Sequence, residues 1–285
     1  LNGKTITGPD GYTTISIASG HSLDITDCQK NGAITHKSGK KGIAIYIQGT
    51  GTLWNGAVTG NNDTSAVSVN NGGSFRMYGG SITGNKGENS GGVFTEGTFE
   101  MTGGKISNNS GKMGGGVYVA QNGTFTMTGG DITGNSNGSS NAGGGVYVAN
   151  GGKFNLAGEG RVTDNKNTYA FGGGGVYVAT NGAFTMDGGD IANNVNGSDA
   201  SAGGVCVARN GTFTMNSGNI SSNENTDDDN NNNSCGGVYI YSGIFTMNDG
   251  KITGNTSKSN GGGVHICASY DSKQQKSIPG QLIMN

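Results

Sequence analysis

The chain is 285 residues long, with 59 Gly, 2 Pro, 31% hydrophobic and 13% charged residues, too few apolar side chains for an ordinary two-layer globular core. Its formal net charge of −2 and the absence of any Lys/Arg run exclude a nucleic-acid footprint, and no apolar run approaches the ~18 residues of a membrane helix. Glycine without a three-residue period excludes collagen, and only five Leu amid abundant Gly, Asn, Ser and Thr exclude long helices.

Residues 1–40 carry no clear repeat and are expected to form an N-terminal cap with a first irregular coil. Within them Leu23, Ile25 and Thr26 align with the third run of the later repeats, which puts Cys28 at that run's Asn position. From 41 to 285 a unit of 24 to 33 residues recurs, and its first run carries Val67, Val93, Val117, Val146, Val176, Val205, Val238 and Val264. The second run carries Phe75, Phe99, Phe125, Phe154, Phe184, Phe213 and Phe245. The third carries Val58, Ile82, Ile106, Ile132, Val162, Ile191, Ile220 and Ile252, 7 residues after each Phe except in Phe154 to Val162.

Length varies mainly between the third run and the next Val, with 11 residues at Ile82 to Val93 against 18 at Ile220 to Val238. Apolar residues alternate within each run, as in strands with one buried face. Short strands at fixed corners cannot bury their faces alone, but stacked coils enclose a continuous narrow core. The expectation is an all-β, right-handed parallel β-helix with three short strands per coil and nine to ten coils, the hand following the bias of parallel crossovers. At ~4.8 Å per coil the rod is about 45 Å long.

Three residues after each third-run Ile or Val stands Asn: Asn61, Asn85, Asn109, Asn135, Asn165, Asn194, Asn223 and Asn255. Asn tolerates left-handed backbone, and its amide can bond both local backbone and the identical amide one coil away, so an inward ladder is expected. Glycine precedes the repeat Val at Gly92, Gly116, Gly145, Gly175, Gly204, Gly237 and Gly263; unusual backbone angles or close packing of coils would explain that column. No GKS or GKT follows to hold phosphate.

The pairing of GG(A/G)V with a hydrophobic-x-x-Asn tetrad, as at Ile132 to Asn135, resembles the repeats of polymorphic outer-membrane proteins and similar repeats of gut bacterial surface proteins, on the pectate-lyase-like β-helix. It covers about residues 42–267, with ITGN replacing FxxN. The resemblance implies a bacterial passenger domain, secreted or displayed at the cell surface, used in adhesion or host interaction. Its expected partner is a host glycan or a host secreted protein such as mucin or immunoglobulin, with no cofactor and no membrane contact by this segment. The start LNGKTITGPDG and the stop at GQLIMN lead us to expect a longer surface protein. The alternatives are a carbohydrate-active enzyme, such as a polysaccharide lyase or glycosidase, and a pure structural spacer.

Six of eight Met fall in one column, Met77, Met101, Met127, Met186, Met215 and Met247, where Leu156 substitutes once; that interchange marks core packing. An outward column carries Ser81, Lys105, Asp131, Arg161, Asp190, Asn219 and Lys251, whose alternating signs favour the correct register. Asp187 and Asp190 are the best carboxylate pair for an enzyme, with Lys153, Arg161 and Arg209 the only nearby cations. The acidic loop Asn223 to Asn233 could hold Ca²⁺ through Asp227, Asp228 and Asp229, but lacks the spacing of an EF-hand. A Thr face with Thr126, Thr185, Thr214 and Thr246 is interrupted by Arg76, Glu100 and Lys153, which argues against ice binding. Four Cys without CxxC spacing and three scattered His give a zinc site little support and read as free thiols. Between the two inward Val of each first run lie Phe94, Tyr118, Tyr147, Tyr177, Cys206, Tyr239 and His265. They are expected to stack from coil to coil, and the aromatic members and His265 are the candidate ligand-binding residues.

Overall fold

The computed structural model describes residues 1–29, 31–36, 41–169, 171–228, 233–271 and 275–285. The chain is an all-strand, right-handed parallel β-helix of about nine turns, in three stacked sheets. One coil shows the plan: Val117–Val119, Thr124–Met127, Asp131–Thr133 and Ser136–Asn137. The second and third runs share a single 17-stranded sheet, while the two-residue segment after each ladder Asn builds a separate 8-stranded sheet. That fourth segment has no alternating apolar pattern and is invisible to periodicity. In the strands Lys153–Thr163, Ala183–Ala192 and Thr212–Ser221 the second and third runs fuse. The extra residue between Phe154 and Val162 becomes a register shift between Gly158 and Arg161, the local bend that a β-bulge supplies.

Pairing is residue for residue: Phe99 opposite Phe125, Met101 opposite Met127, Ile106 opposite Ile132 and Val117 opposite Val146. A one-residue slip would turn every apolar side chain outward, so the buried columns fix the register. The seven Phe rings stack with centroids 4.6 to 5.3 Å apart, all of them buried with the Val, Ile and Met columns except the half-buried Met247, Ile252 and Val264 near the C-terminal end.

The Asn column points inward as expected. Each interior Asn donates from Nδ2 to the next coil's Asn Oδ1 and to the carbonyl of the preceding coil's third-run residue, as Asn135 does to Asn165 at 2.9 Å and to Ile106 at 2.9 Å. Its own Oδ1 accepts from the backbone N and the Nδ2 of the Asn before it, both at 3.0 Å for Asn135.

The N-terminal segment belongs to the same stack. Thr5–Gly8 pairs in parallel with Ala33–His36, Ile15–Ile17 with Ile45–Ile47, and Ser22–Ile25 with Thr50–Leu53. Leu23 and Ile25 thus stand in the Phe and Met columns rather than in the third run, and Cys28 is exposed and outside the ladder. The ladder is met instead by buried His36, whose Nδ1 lies 2.7 Å from Asn61 Oδ1 and whose Nε2 lies 2.8 Å from the Tyr12 carbonyl oxygen. The alignment misled because both runs alternate alike, and the first coil has no Phe to tell them apart.

None of the glycines before the repeat Val has a positive φ, and close packing explains all of that column but Gly263, where an added Cβ would meet only Ile252 Cγ2 at 3.9 Å. A Cβ on Gly145 would stand 2.8 Å from the Gly175 carbonyl oxygen, 2.9 Å from Asn165 Nδ2 and 3.0 Å from Val162 Cγ1. Two of these belong to rigid ladders, so Gly145→Ala is expected to destabilise by about 1–3 kcal/mol, the cost of overpacking. Chemical denaturation against Ala149→Gly, a change on the outer face of the same sheet, checks it.

Candidate binding groove and the outer aromatic column

The outer face of the Val sheet carries the expected aromatic column. Phe94 stacks on Tyr118 at 5.2 Å, Tyr118 on Tyr147 at 4.9 Å, Tyr147 on Tyr177 at 5.5 Å and Tyr239 on His265 at 5.6 Å. The column is less open than its outward phase implies. Phe94, Tyr118 and His265 are half-buried, whereas Tyr147, Tyr177, Cys206 and Tyr239 are 8%, 5%, 2% and 1% exposed. Ala200, Ala202 and Cys235, from the variable corners, pack with these rings into a second small core. Burial deepens with corner length: the corners leading to Val93 and Val117 have 11 residues, those to Val146, Val176 and Val205 have 14, and that to Val238 has 18. Longer corners reach back over the sheet. That length signal was present in the sequence and would have found the cover.

Burial penalises the phenolates and raises Tyr118, Tyr147, Tyr177 and Tyr239 from their ordinary value near 10, Tyr147 to about 12. The sign follows from proton uptake: below pH ~10 both folded and unfolded chains hold these protons, and above it only the unfolded chain releases them freely. Stability is therefore expected to be unaffected by these groups up to pH ~9 and to fall from about 10 towards 12. Urea melts across that range, read beside tyrosinate absorbance, check it; equal stability at both ends would contradict the burial.

All four thiols are free. Desolvation pushes buried Cys206 upward and Cys235 up to about 12, as expected of inert core thiols. His265 Nε2 lies 3.0 Å from Cys267 Sγ, and burial lowers the imidazole's pKa. Among the described residues no group of three or more His, Cys, Asp or Glu side chains could hold a metal ion. Of the acidic loop, Asp227 accepts from Ser234 Oγ at 3.4 Å, Asp228 is exposed, and Asp229 lies outside the described residues.

A groove of about 770 Å³ lies elsewhere, on the outer face of the 17-stranded sheet, where the second run bends into the third. Its floor is glycine: Gly129, Gly130, Gly158, Gly189 and Gly218. Gly130 has φ +84, and a Cβ there would lie 2.8 Å from the Gly104 carbonyl oxygen, so a bare bend is required. One wall is Thr102 and Thr128; the other is the charged column, with Asp131, Arg161, Asp190 and Asn219, while exposed Glu159 lines the bend itself. Arg161 donates from Nε to Asp131 Oδ1 at 2.7 Å, and Lys105 Nζ stands 3.8 Å from Asp131 Oδ2. Arg161 and Asp190 are opposite one another in register, but Asp190 accepts from Asn219 Nδ2 at 2.9 Å and Asp187 from Asn216 Nδ2 at 2.6 Å. Of the carboxylates singled out for an enzyme, Asp190 lines the groove and Asp187 stands beside the bend. The groove went unseen in the sequence because it is a relation between columns, a glycine column set between two columns with side chains. No family model, curated protein or solved structure matches the chain.

Proposed function

We propose that this β-helix is a non-catalytic binding scaffold of a secreted or surface-displayed bacterial protein, and that it presents its glycine-floored groove to a host glycan or host secreted protein. The supporting observation is the groove itself, a continuous concavity across successive coils with hydroxyl, carboxylate, amide and guanidinium groups on a rigid floor. Rigid strands hold such groups in place before a ligand arrives, which lowers the ordering cost of binding. The half-buried Phe94, Tyr118 and His265 offer less surface, and Tyr147, Tyr177 and Tyr239 are closed in by the corners.

A carbohydrate-active enzyme is the second reading, favoured by Asp131, Glu159 and Asp190 sharing one groove. Against it, the charge-assisted bonds from Arg161 to Asp131 and the amide bond from Asn219 to Asp190 occupy oxygens that an acid/base pair would offer to substrate. The test is a glycan array together with mucin and immunoglobulin, repeated with Glu159→Ala/Asp190→Ala. A bound partner whose affinity falls about tenfold in the double variant supports the groove, each lost hydrogen bond to a charged group being worth about 1.5–3 kcal/mol. Release of reducing ends or unsaturated products from a polysaccharide would replace this reading with the enzymatic one, and an array without any partner would leave a spacer.

A further inference from the structure

The residue after each Met-column position forms the threonine wall of the groove at Thr102 and Thr128. In the two preceding coils the same position holds Trp54 and Tyr78, since Leu53 pairs with Met77 and Met77 with Met101. Trp54 is the single Trp of the chain. The two rings stack with centroids 4.3 Å apart and planes 13° from parallel, yet both stay open to solvent at 44% and 43% exposure. Rings that stack between neighbouring coils turn their faces along the solenoid axis. Tyr78 stands one coil before exposed Thr102 in the same column, so its free face is turned towards the near end of the groove, just beyond the residues that line it. The repeat does not demand aromatics here, because the column continues as Thr102, Thr128, Ala157, Asp187, Asn216 and Asn248.

Resting on the reading of the groove as a binding site, we infer that Trp54 and Tyr78 form an aromatic end wall against which a sugar ring of a neutral glycan stacks, the rest of the chain entering the groove. A pyranose presents an apolar C–H face, which suits the negative face of an aromatic ring, and a rim of hydroxyls, which suits polar walls. From Thr102 to Asn219 the groove crosses about four coil steps, roughly 19 Å at ~4.8 Å each, enough for a short oligosaccharide. Its charge selects against polyanions: Asp131, Glu159 and Asp190 face a single lining cation, Arg161, and both Arg161 and Lys105 are already spent on Asp131.

The experiment titrates the protein with neutral hexasaccharides of glucose, galactose, mannose and N-acetylglucosamine, with hexagalacturonate as the anionic comparison. Affinity is read by calorimetry, and shielding of Trp54 by acrylamide quenching. At least one neutral hexasaccharide is expected to bind and to protect Trp54, hexagalacturonate to bind less well, and Tyr78→Ala to weaken binding about tenfold or more, as for an anchor ring. Tyr78→Phe is expected to retain binding, and an unchanged melting temperature shows that the variants fold. Binding that is lost in Glu159→Ala/Asp190→Ala but kept in Tyr78→Ala would overturn the end wall and leave the groove standing. Preferred binding of hexagalacturonate would overturn the neutral class. Failure of every neutral hexasaccharide overturns the inference; a protein partner then captured with sensitivity to the groove variant keeps the groove reading, and no partner at all removes both.

Discussion

Asn135→Ala is expected to destabilise the protein by about 4–6 kcal/mol, the largest effect of any single side chain on the solenoid. The side chain is 0% exposed and takes part in four hydrogen bonds: two donated, to Asn165 Oδ1 and the Ile106 carbonyl, and two accepted, from the backbone N and Nδ2 of Asn109. Alanine removes all four; Asn165 Oδ1 keeps the Asn135 backbone N–H and Asn109 Nδ2 keeps the Ile82 carbonyl, so the penalty combines four lost hydrogen bonds at about 0.5–1.5 kcal/mol each with about 1–3 kcal/mol for the buried Asn109 N–H, less than additively. Asn255, half-buried at the far end of the ladder, supplies the comparison. Asn255→Ala strands fewer groups and gives water access to those it does strand, so it should cost clearly less. Denaturant melts of the two variants decide the matter, and equal losses would show that the inward amides contribute little beyond filling space.

Phe125→Ala is the second large loss, at about 3–5 kcal/mol. Phe125 is fully buried and sandwiched between Phe99 at 4.6 Å and Phe154 at 4.9 Å. Truncation opens a cavity and removes two stacked pairs, each worth about 0.5–1.5 kcal/mol beyond its area. Neighbours cannot close in, because strand spacing is fixed by the ladders on either side. In a solenoid each coil is held only by its neighbours. The defect should therefore split the unfolding transition into two stages, one for each side of the gap. Hydrogen exchange resolved along the chain checks this; a single uniform loss of protection would contradict nearest-neighbour coupling.

Both variants probe what was legible beforehand. The Asn, Phe and Met columns read as inward from spacing and alternation alone, and the coils pair at those residues. Alternating charges make the outward column a set of register devices; Asp131 does meet both Lys105 and Arg161, while Asp190 turns to Asn219. In the first coil the reading failed at Cys28, because a run without Phe can be aligned with either neighbour. His36 stands 25 residues before Asn61, within the repeat period, but two residues after Ile34, the partner of Val58, so the three-residue offset of the Asn column passes over it.

Repeat period, strand phase and the inward columns follow from residue spacing alone, since coils stacked at one spacing have only one register that buries every Phe and satisfies every Asn. Openness of the outward columns depends on long-range packing. Whether Tyr147 or Tyr78 meets solvent depends on where a corner from a different part of the coil comes to rest, and outward phase is the same for both. The corners close over Tyr147, Tyr177 and Tyr239, while Trp54 and Tyr78 stay open beside a groove that exists because a glycine bend lies between columns with side chains. Local alternation fixes which way a side chain points; what covers it is set by segments distant along the coil.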